Sequence, residues 1–268
     1  MGDLTGTSAP VVAVIGGSGF YEFIEDAREV DVSTPFGAPS APVAVGEVAG
    51  RTIAFLPRHG KDHELAPHTI NYRANLWALR SLGVRQVLAP CAVGGLSADV
   101  APGALVVPDQ LVDRTQRRAQ TYVESGAAHV PFADPYCPEL TAALAAADPA
   151  VTTGGTMVVV EGPRFSTRAE SQHYAAQGWS LVNMTGHPEA VLARELSMCY
   201  APVAVVTDRD AGVSSGDGVS QAEVLALFAA TLDRVKLLLA GVVEGLLPPQ
   251  QCACGSWADD IDLPFELP

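Results

Sequence analysis

Apolar residues recur along the chain in two alternating rhythms. Short β-rich runs at residues 11–15, 43–48, 52–57, 87–89, 104–107, 157–160, 181–184 and 203–207 read as strands. Between and after them, apolar positions at 69–82, 138–147, 168–177, 188–198 and 220–247 fall at helical spacing. This is the alternation of an α/β protein. Ala49-Gly50 joins two of the runs as a hairpin, so the expected sheet is mixed rather than purely parallel. The composition changes only after Leu247, where Pro248-Pro249-Gln250-Gln251 stops the last helix and opens an acidic tail. The pattern predicts one domain over residues 1–247 and a C-terminal tail over 248–268.

The strands run into residues with chemistry. Residues 11–15 lead to Gly16-Gly17-Ser18-Gly19, 52–57 to Arg58-His59-Gly60, and 87–89 to Pro90-Cys91-Ala92-Val93-Gly94-Gly95. Residues 181–182 lead to Asn183-Met184-Thr185-Gly186, and 203–206 to Thr207-Asp208-Arg209-Asp210. Ligands of open α/β sheets sit beyond the carboxyl ends of the strands, so these tips are expected to converge on one site. Glycine turns with exposed N–H groups, the hydroxyls of Ser18 and Thr185, and positive charge from Arg58 and His59 suit a phosphate. Asp208 and Asp210 would repel one and suit N–H donors or a basic nitrogen, such as those of a purine ring. Each feature alone has a plainer reading. The Gly-Gly-Ser-Gly turn lacks the rest of a dinucleotide, P-loop or nucleophile-elbow motif, and the charges from Arg58 to His63 also suit a solvated loop. Their conjunction at strand ends points to a site.

Composition narrows the partners. With 16 Lys+Arg, 30 Asp+Glu and a net charge of −14, the chain has no basic face for duplex nucleic acid or an anionic membrane. Hydrophobic residues at 48% and charged ones at 17% are enough for a sizeable core. The uncharged stretch 4–21 holds four glycines and Pro10, which reads as a strand and turns rather than a membrane span, and no secretory signal is visible. Five cysteines, an odd number, suit a reducing cytoplasm. Cys252-Ala253-Cys254 offers two of the four ligands of a tetrahedral zinc site, with no Cys or His after it, so a free-thiol tail and no metal are expected. The apolar end from Leu263 to Pro268 is expected to dock onto the body or a neighbouring subunit.

Up to about Leu247 the chain resembles the trimeric purine nucleoside phosphorylases, most closely their methylthioadenosine-cleaving branch. The resemblance rests on Val14-Ile15-Gly16-Gly17-Ser18-Gly19, Thr34-Pro35-Phe36-Gly37, Arg58-His59-Gly60 and Tyr72-Arg73-Ala74-Asn75-Leu76-Trp77-Ala78-Leu79. It also rests on Asp109-Gln110-Leu111-Val112-Asp113-Arg114-Thr115, Glu161-Gly162-Pro163-Arg164-Phe165-Ser166, Asn183-Met184-Thr185 with Pro188-Glu189, and Thr207-Asp208-Arg209-Asp210. It implies a single α/β domain with a mixed, partly barrel-like sheet flanked by helices, and a homotrimer. It further implies reversible phosphorolysis of a purine nucleoside, with inorganic phosphate as co-substrate and no cofactor. Phosphate would then be held by Ser18, Arg58, His59, Cys91, Ala92 and Thr185, with Cys91 standing where relatives usually carry a small hydroxyl residue. Met184 would lie against the ribose, His63 near the sugar and Phe165 against the purine. Asp208 and Asp210 would reach the purine's N7 and exocyclic amine. The catalytic candidates are Asp208, as the source of a proton at N7, and His59.

Relatives acting on 6-oxopurines carry a Glu and an Asn where this chain has Ser166 and Asp208. A carboxyl group suits an adenine amine better than a carbonyl, which favours adenine. Val224 and Leu225 match apolar positions around a 5′-methylthio group, and His129 matches a residue reaching in from a neighbouring subunit. Val224 and Leu225 read equally well as helix-core residues. Gln221 and the loop 212–218 leave a broader phosphorylase of adenosine, inosine, guanosine or methylthioinosine open. A hydrolytic nucleosidase and a non-catalytic purine-binding protein are the readings from other classes. His68, His173 and His187 receive no role.

Overall fold

The structure is a computed structural model, and it describes residues 11–212, 219–248, 252–259 and 261–268. In the first half of the chain these form β1 (Val12–Gly16), β2 (Arg28–Val30), β3 (Val43–Val48), β4 (Arg51–Pro57), α1 (Tyr72–Ser81), β5 (Gln86–Gly95), β6 (Leu105–Val107) and β7 (Gln110–Arg114). Next come α2 (Pro138–Ala147), β8 (Thr152–Thr153), β9 (Thr156–Val160), α3 (Arg168–Ala176), β10 (Leu181–Asn183), α4 (Gly186–Glu195), β11 (Cys199–Arg209) and α5 (Gln221–Gly245). All the strands and helices that periodicity predicts are present. β2, β7 and β8 are additional, and apart from the buried Val30 their residues are exposed or half-buried and give no apolar alternation to read.

The strands form one mixed sheet in the order β2-β3-β4-β1-β5-β10-β9-β7, with β11 also on β5 and carrying β6 and then β8. β3 and β4 are the expected hairpin. Its turn residues Ala49 and Gly50 have φ of 51° and 72°, the left-handed pair that matches the twist of two antiparallel strands. β1 explains why a continuous apolar run can be a strand. Ala13 and Ile15 belong to a core shared with α1 and α4, while Val12 and Val14 face a second core shared with α2 and α5. A strand covered by helices on both faces needs no polar alternation.

Two strands run further than expected, which moves candidate residues out of loops. β5 continues through Pro90, Cys91 and Ala92 to Gly95, paired to β11 throughout. Pro90 is tolerated because β1 borders β5 only as far as Leu88, so the edge facing the cleft needs no donor there. β11 continues to Arg209 with a register shift between Val206 and Asp208. A bulge of this kind re-aims the side chains that follow it.

The tail folds back onto the body of its own chain. Phe265 lies 5.8 Å from the Tyr122 ring and 6.2 Å from that of Trp77, as its apolar composition predicts. Cys252 and Cys254 carry free thiols, as expected, but they do not stand apart: they meet Cys137 and Cys199, with all four sulfurs within 4.8 Å of one another. Spacing within the tail carried no sign of these partners, which stand 53 residues or more upstream. Residues 249–251, which include most of the Pro-Pro-Gln-Gln stop, lie outside the described residues, as does most of the loop 212–218. Among the described residues no helix is long and apolar enough to cross a membrane.

Two glycine substitutions test this packing with opposite signs. A Cβ at Gly16 would run into the Phe20 carbonyl oxygen and lie 2.7 Å from the Phe55 ring, whereas Gly241 in α5 has nothing within 4 Å. Urea unfolding at fixed protein concentration should show Gly16→Ala destabilised by about 1–3 kcal/mol. Gly241→Ala should be stabilised by about 0.5–1 kcal/mol, the ordinary gain from replacing a helical glycine.

Candidate active site

A cavity of about 360 Å³ opens where the ends of β1, β4, β10 and β11 meet the middle of β5. This is a volume suited to a nucleoside-sized ligand. Its walls hold every site residue named from the sequence except His129. The route by which β10 contributes differs from the expected one. β10 runs antiparallel to β5, so its carboxyl end arrives beside Ala92 rather than beyond Gly95. Asn183 fixes that approach by donating from Nδ2 to the Ala92 carbonyl at 3.0 Å. Its Oδ1 accepts from the backbone N–H of Thr185 at 2.8 Å and of Gly186 at 2.6 Å.

At one end of the cavity lie Gly17, Ser18, Arg58, His59, Cys91, Ala92 and Thr185. Gly17 permits the close approach, since a Cβ there would stand 2.8 Å from the Pro90 carbonyl oxygen and 3.0 Å from Arg58 Nη1. Arg58 is only 1% exposed and is fully committed as an ion. Its Nε and Nη2 donate to the two carboxylate oxygens of Glu189 at 2.7 and 2.9 Å. Nη1 donates to Pro90 O at 3.1 Å, and Nη2 also to Ile15 O at 3.3 Å. These contacts use four of the five N–H groups of a guanidinium and leave one, on Nη1, for a ligand. Burial opposes the charge of Arg58, but the Glu189 carboxylate overrides it and raises the pKa above its ordinary value. Tyr200 completes the group by donating its hydroxyl to Glu189 Oε2 at 2.7 Å.

The expected cluster of positive charge from Arg58 to His63 is therefore corrected. Arg58 is neutralised by Glu189, and Lys61 pairs with Glu29 at the surface. Burial, with the adjacent Arg58 charge, pushes the His59 pKa down to about 4, so this ring is neutral at pH 7. Its Nδ1 lies 2.9 Å from the Leu65 carbonyl, which can only accept, so Nδ1 carries the proton and Nε2 is left with a lone pair. His63 stacks on His59 with centroids 4.6 Å apart and meets the Tyr21 hydroxyl at 2.7 Å, and burial lowers its pKa as well. Cys91 is buried and its thiol is pushed up to about 12, so it stays protonated. An anion here meets hydroxyls, backbone N–H groups and one guanidinium N–H instead of a basic patch.

The opposite end holds Phe165, Ser166, Asp208 and Asp210. Asp210 is buried and occupied, accepting from Ser171 Oγ at 2.6 Å. Asp208 is not. Its Oδ2 accepts from Thr207 Oγ1 at 2.8 Å, but Oδ1 is buried with no partner. Burial raises its pKa to about 6, against the opposing Thr207 hydrogen bond and with help from Asp210. Gly94 makes room for both, since a Cβ there would stand 3.1 Å from Asp208 Oδ1.

Met184 lines the cavity between these ends, where Gly162 lets the Gly162-Pro163-Arg164-Phe165 loop close over it; a Cβ at Gly162 would lie 2.6 Å from the Met184 sulfur. Gln221, Val224 and Leu225, on the first turn or so of α5, line the cavity too. The reading of Val224 and Leu225 as plain helix-core residues is thus set aside, since both face the cavity half-buried. His129 is exposed and outside the cavity of its own chain. Sequence reasoning left Glu189, Tyr200 and Asn183 without roles. Glu189 stood within a quoted motif, but its partner 131 residues away is visible only in the fold.

Comparison with known proteins agrees with this geometry. An S-methyl-5'-thioadenosine phosphorylase of Mycolicibacterium smegmatis is 59% identical over 96% of this chain and 100% of its own length. A purine nucleoside phosphorylase of Streptomyces coelicolor is 55% identical over 96% of this chain and 97% of its own. Among solved structures, the methylthioadenosine phosphorylase of Schistosoma mansoni in complex with adenine superposes with a TM-score of 0.82 at 37% identity, covering 87% of this chain and 91% of the other. The family model described as Phosphorylase superfamily matches residues 11–247, and the chain belongs to that superfamily.

Proposed function

We infer that the chain catalyses phosphate-dependent cleavage of S-methyl-5'-thioadenosine to adenine and 5-methylthioribose 1-phosphate. The observation that carries this reading is one cavity that brings hydroxyl and N–H donors suited to an anion together with a buried carboxyl group whose Oδ1 lacks a partner. A protonated Asp208 matches the edge of adenine, because its O–H donates to N7 while its carbonyl oxygen accepts from the amine. A 6-oxopurine would set a carbonyl against that acceptor.

The steps follow from where charge develops. As the C1′–N9 bond lengthens, the ribose gains cationic character and the purine becomes anionic. Phosphate, held by Ser18, Thr185, the backbone at Ala92 and the last N–H of Arg58, lies against the sugar and forms the new C1′–O bond. The bonding pair leaves on the purine, and the Asp208 proton moves to N7. Water then reprotonates Asp208. Neutral His59 accepts a hydrogen bond at Nε2 from a protonated phosphate oxygen, a role its raised preference for the uncharged form suits. Met184 and Val224 with Leu225 form the apolar surroundings of the ribose and the methylthio group, and Gln221 sits at the outer edge. His129 completes this end from a second copy of the chain in a homotrimer; its exposure outside its own cavity supports that placement. Inorganic phosphate serves as co-substrate with no cofactor, in a reducing cytoplasm.

Omitting phosphate should abolish release of adenine from methylthioadenosine, whereas unchanged turnover would identify a hydrolase. Rates should favour methylthioadenosine over adenosine and inosine in kcat/KM, and equal values for inosine would remove the adenine assignment. The pH dependence has a definite sign. Asp208 acts in its acid form with a free-enzyme pKa of about 6, so kcat/KM should decline as pH rises through that value. Asp208→Asn keeps a donor and an acceptor but no transferable proton. It should lower kcat by about 10²–10⁴-fold and lose that pH limb, with KM for phosphate little changed; an unaltered profile would exclude Asp208 as the acid.

A further inference from the structure

Away from the cavity, the sulfurs of Cys137, Cys199, Cys252 and Cys254 lie within 4.8 Å of one another. They come from three separate parts of the chain, the N-cap of α2, the first residue of β11 and the tail. Cys137, Cys199 and Cys254 are buried, at 0%, 1% and 3% exposure, and Cys252 is half-buried. The sulfurs of Cys199 and Cys252 approach to 3.4 Å. A tetrahedral zinc ion with Zn–S bonds of about 2.3 Å sets its sulfurs roughly 3.8 Å apart, a spacing within reach of this cluster by small side-chain adjustments.

We propose that these four cysteines form a structural zinc site that staples the C-terminal tail to the body of the chain. Four thiolate ligands and no open position match a structural rather than a catalytic centre, and soft sulfur ligands select zinc over magnesium or calcium. Cys137 caps α2 with no side-chain hydrogen bond to the helix, which puts its sulfur near the positive end of that helix. Binding converts four S–H groups to thiolates and releases four protons, with no oxidation. The tail is also held in register, since the backbone N–H of Cys252 donates to Glu139 on α2 at 2.9 Å. A pair of disulfides would use the same sulfurs, but it would need an oxidant and would have to divide a four-membered cluster into two bonds of about 2.05 Å.

The test uses the full chain, purified without chelator and analysed by elemental mass spectrometry. The expected result is about one zinc per chain, with all five thiols titrating after denaturation in the presence of a chelator. Replacing zinc by cobalt(II) should give the absorption of a tetrahedral thiolate site. The double variant Cys252→Ser/Cys254→Ser leaves the body untouched; it should retain below about a tenth of the zinc, lose the cobalt spectrum and expose the tail to protease, with phosphorolysis unchanged. Cys91→Ser, which alters the cysteine outside the cluster, should retain the metal. Zinc-free wild-type protein that does not take up cobalt would overturn the proposal, as would fewer than five titratable thiols without bound metal, the mark of a disulfide. Equal zinc in wild type and double variant would show an adventitious ion and overturn it too.

Discussion

The buried pair of Arg58 and Glu189 is the constraint on which the site depends. Arg58 follows the last residue of β4, and its guanidinium bonds the Ile15 carbonyl on β1, the Pro90 carbonyl on β5 and the Glu189 carboxylate on α4. Tyr200 on β11 bonds the same carboxylate. Five elements, drawn from residues 12 to 209, are thereby fixed against one another at the floor of the cavity. Two ions taken out of water together are no reliable source of stability, but removing one partner strands the other, at a cost of about 3–5 kcal/mol. The pair acts less as adhesive than as a template for the ends of the strands.

That template shapes the chemistry at both ends of the cavity. With Arg58 already neutralised and His59 held uncharged by burial, the anion site carries little net charge. It relies on oriented donors, which the surrounding strands hold in place and which need no rearrangement as the reaction proceeds. At the far end the same exclusion of water raises the Asp208 pKa toward neutrality. One low-dielectric cavity thus favours a neutral histidine, a carboxyl group more readily protonated than usual and a paired arginine together. The net charge of −14 is compatible with an anionic co-substrate because the anion is met by local donors.

The sequence made the elements legible where a single rule decided them. The apolar run of β1, the Ala49-Gly50 turn and the apolar rhythm of α2 each carry their own local signal. The site residues were legible because they follow strands and match a known family's motifs, and all but His129 meet in one cavity. Three things were not legible, each for a physical reason. The length of β5 was hidden by Pro90, whose missing N–H matters only if a neighbouring strand occupies that edge. The charge state of Arg58-His59-Gly60-Lys61-Asp62-His63 was misread because burial and the partners Glu189 and Glu29 are set by tertiary structure. The four-cysteine cluster was invisible because its spacing in sequence follows no local ligand pattern.

Glu189→Gln tests the central role of the buried pair most directly. The variant removes a negative charge next to the anion site, so simple electrostatics would tighten phosphate binding. If the carboxylate instead orients Arg58 and through it the strand ends, KM for phosphate should rise by about tenfold or more and stability should fall by about 3–5 kcal/mol. A variant of unchanged stability with a lower KM for phosphate would show that Glu189 only quenches Arg58, and would contradict the account.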